Sequence, residues 1–329
     1  MMKQRMLGKT GQRVGEIGFG AWAIGGTWGE VSLDDAREAL NAALDAGMTF
    51  IDTADVYGDG RSEKIIAEVL NQRGGERPFV ATKLGRRLSL HEAQGYTAQN
   101  LNAFIDRSRD NLQMETLDLV QLHCPPTEIY YTPEVFAVMD EMVAAGKIRH
   151  YGVSVEKVEE GLKALEYPNV ASIQLIYNIF RQRPAELLLR EAKRRDVGII
   201  ARVPLASGLL TGKMTAATTF SADDHRTFNR NGEAFDKGET FSGVPWDVAL
   251  EAVEAIRQYV KGDDTMAMFA LRWILMNDCV SVVIPGAKNA VQSAGNARAS
   301  AMSALPDETL AALKRLYDDK IAPWVHQRW

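Results

Sequence analysis

Residues 49–58 read TFIDTADVYG: a short apolar run, an aspartate that ends it, and a tyrosine five positions further on. The pattern recurs downstream, where FVATK (79–83) ends on Lys83 and LDLVQLH (117–123) ends on His123. Runs of this length that are apolar toward both faces read as strands of a parallel sheet covered by helices. Outward from them lie five more such runs: IGFGAW (17–22), HYGVS (150–154), SIQLIYN (172–178), GIIARVP (198–204) and VSVVIPG (280–286). Helical patterns fall between them, at 33–47, 62–74, 98–113, 133–146 and 184–196. Ser32 is placed to cap the first helix, and Gly47 and Gly146 to close two of them. Eight strands alternating with helices, joined by crossovers too long for hairpins, predict an α/β fold with a parallel sheet. The count favours closure into a (β/α)8 TIM barrel over an open doubly wound sheet.

The flanking segments fit one barrel domain spanning residues 1–329. Residues 3–17 predict a β-hairpin about the turn GKTG. A Gly/Thr/Asp-rich stretch over 205–245 is too long for a plain connection and reads as a functional loop. Helices are predicted at 246–260, as an addition to the barrel, at 265–277, and last near 307–320.

Composition narrows the function. The chain has 329 residues, 46% hydrophobic and 25% charged, as in ordinary globular proteins. A formal net charge of -5 argues against a nucleic-acid surface. No apolar stretch approaches the roughly 20 residues of a membrane span, and no signal-peptide pattern follows the basic N-terminus. Two cysteines make no disulfide framework, so a cytoplasmic protein acting on small molecules is expected. GFGAWA (18–23) matches a dinucleotide fingerprint literally, but no helix pattern begins until Ser32. GKT (8–10) lacks the upstream glycine of a phosphate loop. HExxH, paired CxxC, EF-hand and GxSxG spacings do not occur, and no metal site is indicated.

In a barrel, the C-terminal ends of strands converge on one face. Asp52, Lys83 and His123 end adjacent strands, and Tyr57 sits in the loop after Asp52. Singly, each residue fits a cap, an ion pair or packing. Together they supply the parts for protonating a carbonyl oxygen during hydride transfer. A free tyrosine titrates near ~10, and an ammonium beside it favours the phenolate. Tyr57 is therefore the candidate general acid, Lys83 its tuner, Asp52 the anchor of Lys83, and His123 the group that orients the carbonyl.

At these residues the chain resembles the aldo-keto reductase family of NAD(P)(H)-dependent barrel oxidoreductases, and the bacterial-type NADP-dependent members in particular. The resemblance runs from the hairpin and GFGAW, through FIDTADVYG, ATK, DLVQLHCP, GKIRHYGVS and IQLIYN, to ARVPLASGLLTGK and IPGAKNAVQSAGN. It implies the same catalytic tetrad and a cofactor site, with Gly20 in GFG at its edge. Ser154 and Gln174 fall on the positions that hold the nicotinamide carboxamide. Leu205, Ser207, Gly208, Leu209 and Lys213 fall on the pyrophosphate segment, and Gly286, Lys288, Gln292 and Asn296 on the adenosine-phosphate segment. Lys288 supplies a point charge for a 2′-phosphate, which selects NADP(H). Two departures stand out. Val155 replaces an asparagine common after the serine, and Arg202 stands where many members stack an aromatic ring on the nicotinamide, a cofactor-binding position from which its planar guanidinium can stack or hold a phosphate instead.

Trp22 and Trp28 are expected to wall the substrate pocket. The activity implied is NADPH-dependent reduction of aldehydes or ketones to alcohols, reversible in principle. The rivals are an NADP-linked sugar or polyol dehydrogenase and a cofactor-sensing regulatory subunit with little turnover.

Overall fold

The computed structural model describes residues 2–26, 29 and 31–329. Its N-terminal hairpin pairs β1 (Gln4–Met6) with β2 (Arg13–Gly15), antiparallel. Eight parallel strands follow: β3 (Phe19–Gly20), β4 (Phe50–Asp52), β5 (Phe79–Leu84), β6 (Leu117–His123), β7 (Ile148–Ser154), β8 (Val170–Ile176), β9 (Gly198–Arg202) and β10 (Val282–Val283). They are neighbours in chain order, and parallel bridges Ile17–Val283 and Gly20–Gly286 join the last to the first. The sheet thus curls into the predicted (β/α)8 barrel.

The site follows from the period of two along each strand. Phe50, Ala81, Leu119, Ile200 and Val282 point inward and form one buried cluster at the bottom of the barrel. Leu7 and Val14 of the hairpin region join that cluster, so the N-terminal segment plugs the lower end. Two residues on from the inward apolar layer stand Asp52, Lys83, Gln121 and Arg202, with His123 two further along β6. The same alternation that packs the floor therefore lifts polar groups to the C-terminal mouth. Their neighbours of opposite parity, such as Ile51, Val80, Val120 and Ile199, belong to the larger core between strands and helices.

The helices form where the apolar spacing predicts them, at Leu33–Asp45, Arg61–Gln72, Ala98–Leu112, Pro133–Ala144, Trp246–Arg257, Met266–Leu275 and Asp307–Leu316. Ser32 Oγ accepts the Asp35 amide at 3.0 Å and caps the first. That helix buries Ala36, Ala39, Leu40 and Ala43 on one face. Its small residues admit a helix the pattern reading omits, Ala290–Arg298, whose Ser293 Oγ donates to the Ala39 carbonyl at 2.7 Å. The 184–196 pattern resolves into a 3-10 turn, Arg183–Glu186, and a shorter helix, Leu188–Arg194. The 205–245 stretch is a chain of short turns rather than a structureless loop.

Candidate active site

Lys83 Nζ is fully buried and donates to Asp52 Oδ2 at 2.6 Å and to the Thr53 carbonyl at 2.9 Å, and it lies 3.3 Å from the Tyr57 hydroxyl. Asp52 is held from its other side, where Gln174 Nε2 donates to Oδ1 at 2.7 Å and Gln121 Nε2 at 3.4 Å. Tyr57 leaves the strand end on a tight turn, its amide bonded to the Ala54 carbonyl. Gly25 lies against it so closely that a Cβ there would meet Tyr57 Cβ at 2.8 Å. The His123 ring stands edge-on to the Tyr57 ring, with centroids 5.9 Å apart. The four side chains that the strand ends promised do meet.

Charge states follow from burial and neighbours. Burial pulls the Lys83 ammonium down, but Asp52 and Tyr57 outweigh it and hold its pKa above the ordinary value. Burial lifts the Tyr57 phenol above its ordinary value, while Lys83 pulls the other way without prevailing. This corrects the expectation of a phenol acidified overall: in this pocket Tyr57 keeps its proton. Burial, together with Arg86, Lys83 and Arg202, drives the His123 pKa well below its usual range, so the imidazole stays neutral. Its Nδ1 is buried with no hydrogen-bond partner among the described residues.

A cleft of about 840 Å³ runs across the barrel mouth from these groups. Trp22, Asp52, Tyr57, His123, Gln174 and Arg202 line one end. Gly20, Leu205, Ser207, Gly208, Lys213, Gly286, Lys288, Gln292 and Asn296 line the remainder. Ser154 and Leu209 are fully buried and do not reach the cleft surface: the Ser154 hydroxyl accepts from the Cys124 thiol at 3.5 Å, and Leu209 packs in the core. Trp28 lies outside the described residues. Lys213, Arg226, Lys288 and Arg298 also line the cleft, and the Arg226 guanidinium is paired with Asp224 Oδ2 at 2.6 Å. Asn289 caps the helix Ala290–Arg298 beside it, accepting the Gln292 amide at 3.0 Å. Cations and a helix N-terminus suit the phosphates of a dinucleotide. The chain there has left-handed φ at Ala206 (48°), Ser207 (55°) and Gly208 (97°).

A second cavity of about 630 Å³ opens on the other side of Trp22, Tyr57 and His123. Its polar wall was not foreseen. Arg202 Nη2 pairs with Glu156 Oε2 and Nη1 with Glu239 Oε2, both at 2.8 Å. Arg86 Nη2 reaches Glu156 Oε1 and Glu239 Oε1, both at 3.1 Å. The Val155 carbonyl also accepts from Arg202, at 3.1 Å. Arg202 is thus clamped by two carboxylates and is no loose phosphate ligand. Ligand atoms of Cys124, Glu156 and Glu239 lie within 4.8 Å of one another, but the guanidinium groups already take the carboxylate oxygens. Burial pushes the Cys124 thiol up to about 12, which leaves it inert.

The wall is anchored from far along the chain. Trp329 Nε1 donates to Asp236 Oδ1 at 2.8 Å, and the Arg181 guanidinium lies 4.2 Å from the indole centroid. Gly238 and Gly243 leave the slot for the indole, since a Cβ on either would meet it at 2.9 and 2.5 Å. Phe235, in the same strip, packs at 6.1 Å from the Trp22 ring. Position offered one clue to these residues: Arg86 and Glu156 follow the ends of β5 and β7. Nothing local marked Glu239.

The aldo/keto reductase family model matches residues 16–318, and the chain belongs to that family of oxidoreductases. It is 31% identical over 296 residues to the aldo-keto reductase YhdN of Bacillus subtilis, covering 87% of this chain and 85% of the relative. Over 217 residues it is 32% identical to L-galactose dehydrogenase of Arabidopsis thaliana, covering 63% of this chain and 66% of the relative. Its structure resembles a glycerol dehydrogenase of Gluconobacter oxydans, with a TM-score of 0.77, 29% identity, and 97% and 96% of the two chains covered. An aldo-keto reductase of Klebsiella pneumoniae in complex with NADPH shares the fold at a TM-score of 0.67 and 24% identity, with 96% of each chain covered.

Proposed function

We propose that this protein reduces aldehydes or ketones to alcohols with NADP(H), Tyr57 delivering the proton. The observation that carries this reading is the buried Asp52–Lys83–Tyr57 chain, at 2.6 and 3.3 Å, opening into a cleft that Lys213, Lys288 and Arg298 also line. NADPH held there would supply the hydride to the carbonyl carbon. Among the residues lining the cleft, Gln174 and Arg202 would border its nicotinamide end, and Ser207, Lys213, Lys288 and Gln292 would hold its phosphates. The phenol, protonated at neutral pH, gives its hydrogen to the carbonyl oxygen as charge develops there. Lys83 stabilises the phenolate left behind, and Asp52 fixes Lys83 in place. His123, uncharged, hydrogen-bonds the carbonyl oxygen and aims it. The same groups serve the reverse reaction, with the phenolate as base. Oxidation of a sugar or polyol is the second reading, favoured by the polar wall that Arg86, Glu156 and Glu239 give the adjacent cavity.

Initial rates of NADPH and NADH oxidation with aldehydes, ketones and sugars test both readings. Tyr57→Phe is expected to lower carbonyl reduction by about 10²–10⁴-fold with NADPH affinity near that of the unmodified protein. Unchanged turnover would remove Tyr57 from its role. NADPH binding without turnover across the panel would leave a cofactor sensor instead.

A further inference from the structure

The 630 Å³ cavity shares Trp22, Tyr57, His123 and Glu239 with the cleft, so it adjoins the place where a carbonyl would meet Tyr57. Its wall has an unusual charge balance. Among the described lining residues, the cations are Arg86 and Lys157, against four carboxylates, Glu156, Glu160, Asp236 and Glu239, a formal sum of two minus four. Arg202 and Arg181 back the same wall, so the surplus of carboxylates belongs to the groups that line the cavity itself.

Which of these charges a ligand meets depends on what they already hold. Each oxygen of Glu156 and of Glu239 faces one of the two arginines, in a closed ring of four ion pairs at 2.8–3.1 Å. All four side chains are at most 19% exposed. A ligand carboxylate entering here would lose its hydration, face an excess of carboxylates, and find each arginine shared between two glutamates. A neutral hydroxyl has no charge to oppose the carboxylates and loses far less on leaving water. It can donate to a glutamate lone pair and accept from an arginine N–H without breaking the ring. The Trp22 and Phe235 rings add apolar faces for the C–H side of such a ligand.

We infer that this pocket takes uncharged, hydroxyl-bearing carbonyl compounds and rejects those that carry a carboxylate. The inference rests on the carbonyl-reductase reading and names the substrate class for that site. Glu156 and Glu239 are its specificity-determining residues.

The test compares D-galactose with D-galacturonate, which share an aldehyde carbon and ring and differ in a carboxylate. With NADPH, kcat/KM is expected to be at least 10-fold lower for galacturonate, and the gap to narrow in 0.5 M NaCl. Glu239→Gln and Glu156→Gln, checked for unchanged melting, are each expected to shrink the ratio at least threefold. Equal or better use of galacturonate by the unmodified protein overturns the inference, whether or not the variants fold. If neither sugar turns over, calorimetric titration of each into the protein with NADP+ still decides. Galactose binding without galacturonate supports the inference, while galacturonate binding as tightly, or no binding of either, overturns it. The Tyr57→Phe comparison on simple aldehydes separately judges the underlying reading.

Discussion

Asp55 shows what a single side chain can cost. It is completely buried three residues past Asp52, and no side chain among the described residues hydrogen-bonds its carboxylate. Burial, then the nearby Glu63, pushes its pKa up to about 7, against the pull of Arg87 and Arg107. An unfolded aspartate titrates near ~3.9. Between those values the folded chain retains a proton that the unfolded chain has released, so stability falls as pH rises through this window and levels off above it. Asp55→Asn cannot ionise. Its stability relative to the unmodified protein should therefore rise between pH 5 and pH 8, by about 2–4 kcal/mol. Urea midpoints at both pH values check this, and a constant difference would mean that Asp55 titrates like an ordinary carboxyl. The neighbouring tetrad was legible because strand ends fix where Asp52, Lys83 and His123 point. The Asp55 environment was not, because burial of a loop carboxyl depends on what packs over it: Glu63, Arg87 and Arg107 come from other segments.

At the scale of elements, strands read well and their partners poorly. β6 spans the predicted run, since Leu117 to His123 is buried throughout. β3 and β10 shrink to two residues each, and isolated bridges carry the closure instead. The ring of Arg86, Glu156, Arg202 and Glu239 links residues as many as 153 positions apart, which no local pattern encodes. The 205–245 stretch looked structureless because its polar residues satisfy its own backbone: Asn229 Oδ1 accepts the amides of Ala234 and Phe235, and Ser207 Oγ bridges the Glu239 carbonyl and the Phe241 amide. The helix Ala290–Arg298 supports a prediction of its own. Lys288 sits just before it, half-buried, its amide tied to Gln292 Oε1 at 2.9 Å. Lys288→Ala should weaken NADPH about 10-fold or more, as expected for losing a charged hydrogen bond, and NADH far less. Fluorescence titration of both cofactors checks this; equal loss would place the 2′-phosphate elsewhere.

Across the whole molecule, the floor of the barrel is plugged by the first residues of the chain, and the pocket wall is pinned by Trp329. Indole emission responds to hydrogen bonding at Nε1 and to a charge against the ring, and Trp329 has both, from Asp236 and Arg181. The spectrum lost on Trp329→Phe substitution therefore isolates one chromophore wired to the strip that carries Phe235, Asp236 and Glu239. That difference spectrum should shift when a carbonyl ligand fills the pocket and stay still when NADP+ alone occupies the cleft. A shift with NADP+ alone would mean that the two compartments move together. With the expected outcome, the protein carries its own optical gauge of pocket occupancy, readable without turnover and without a label.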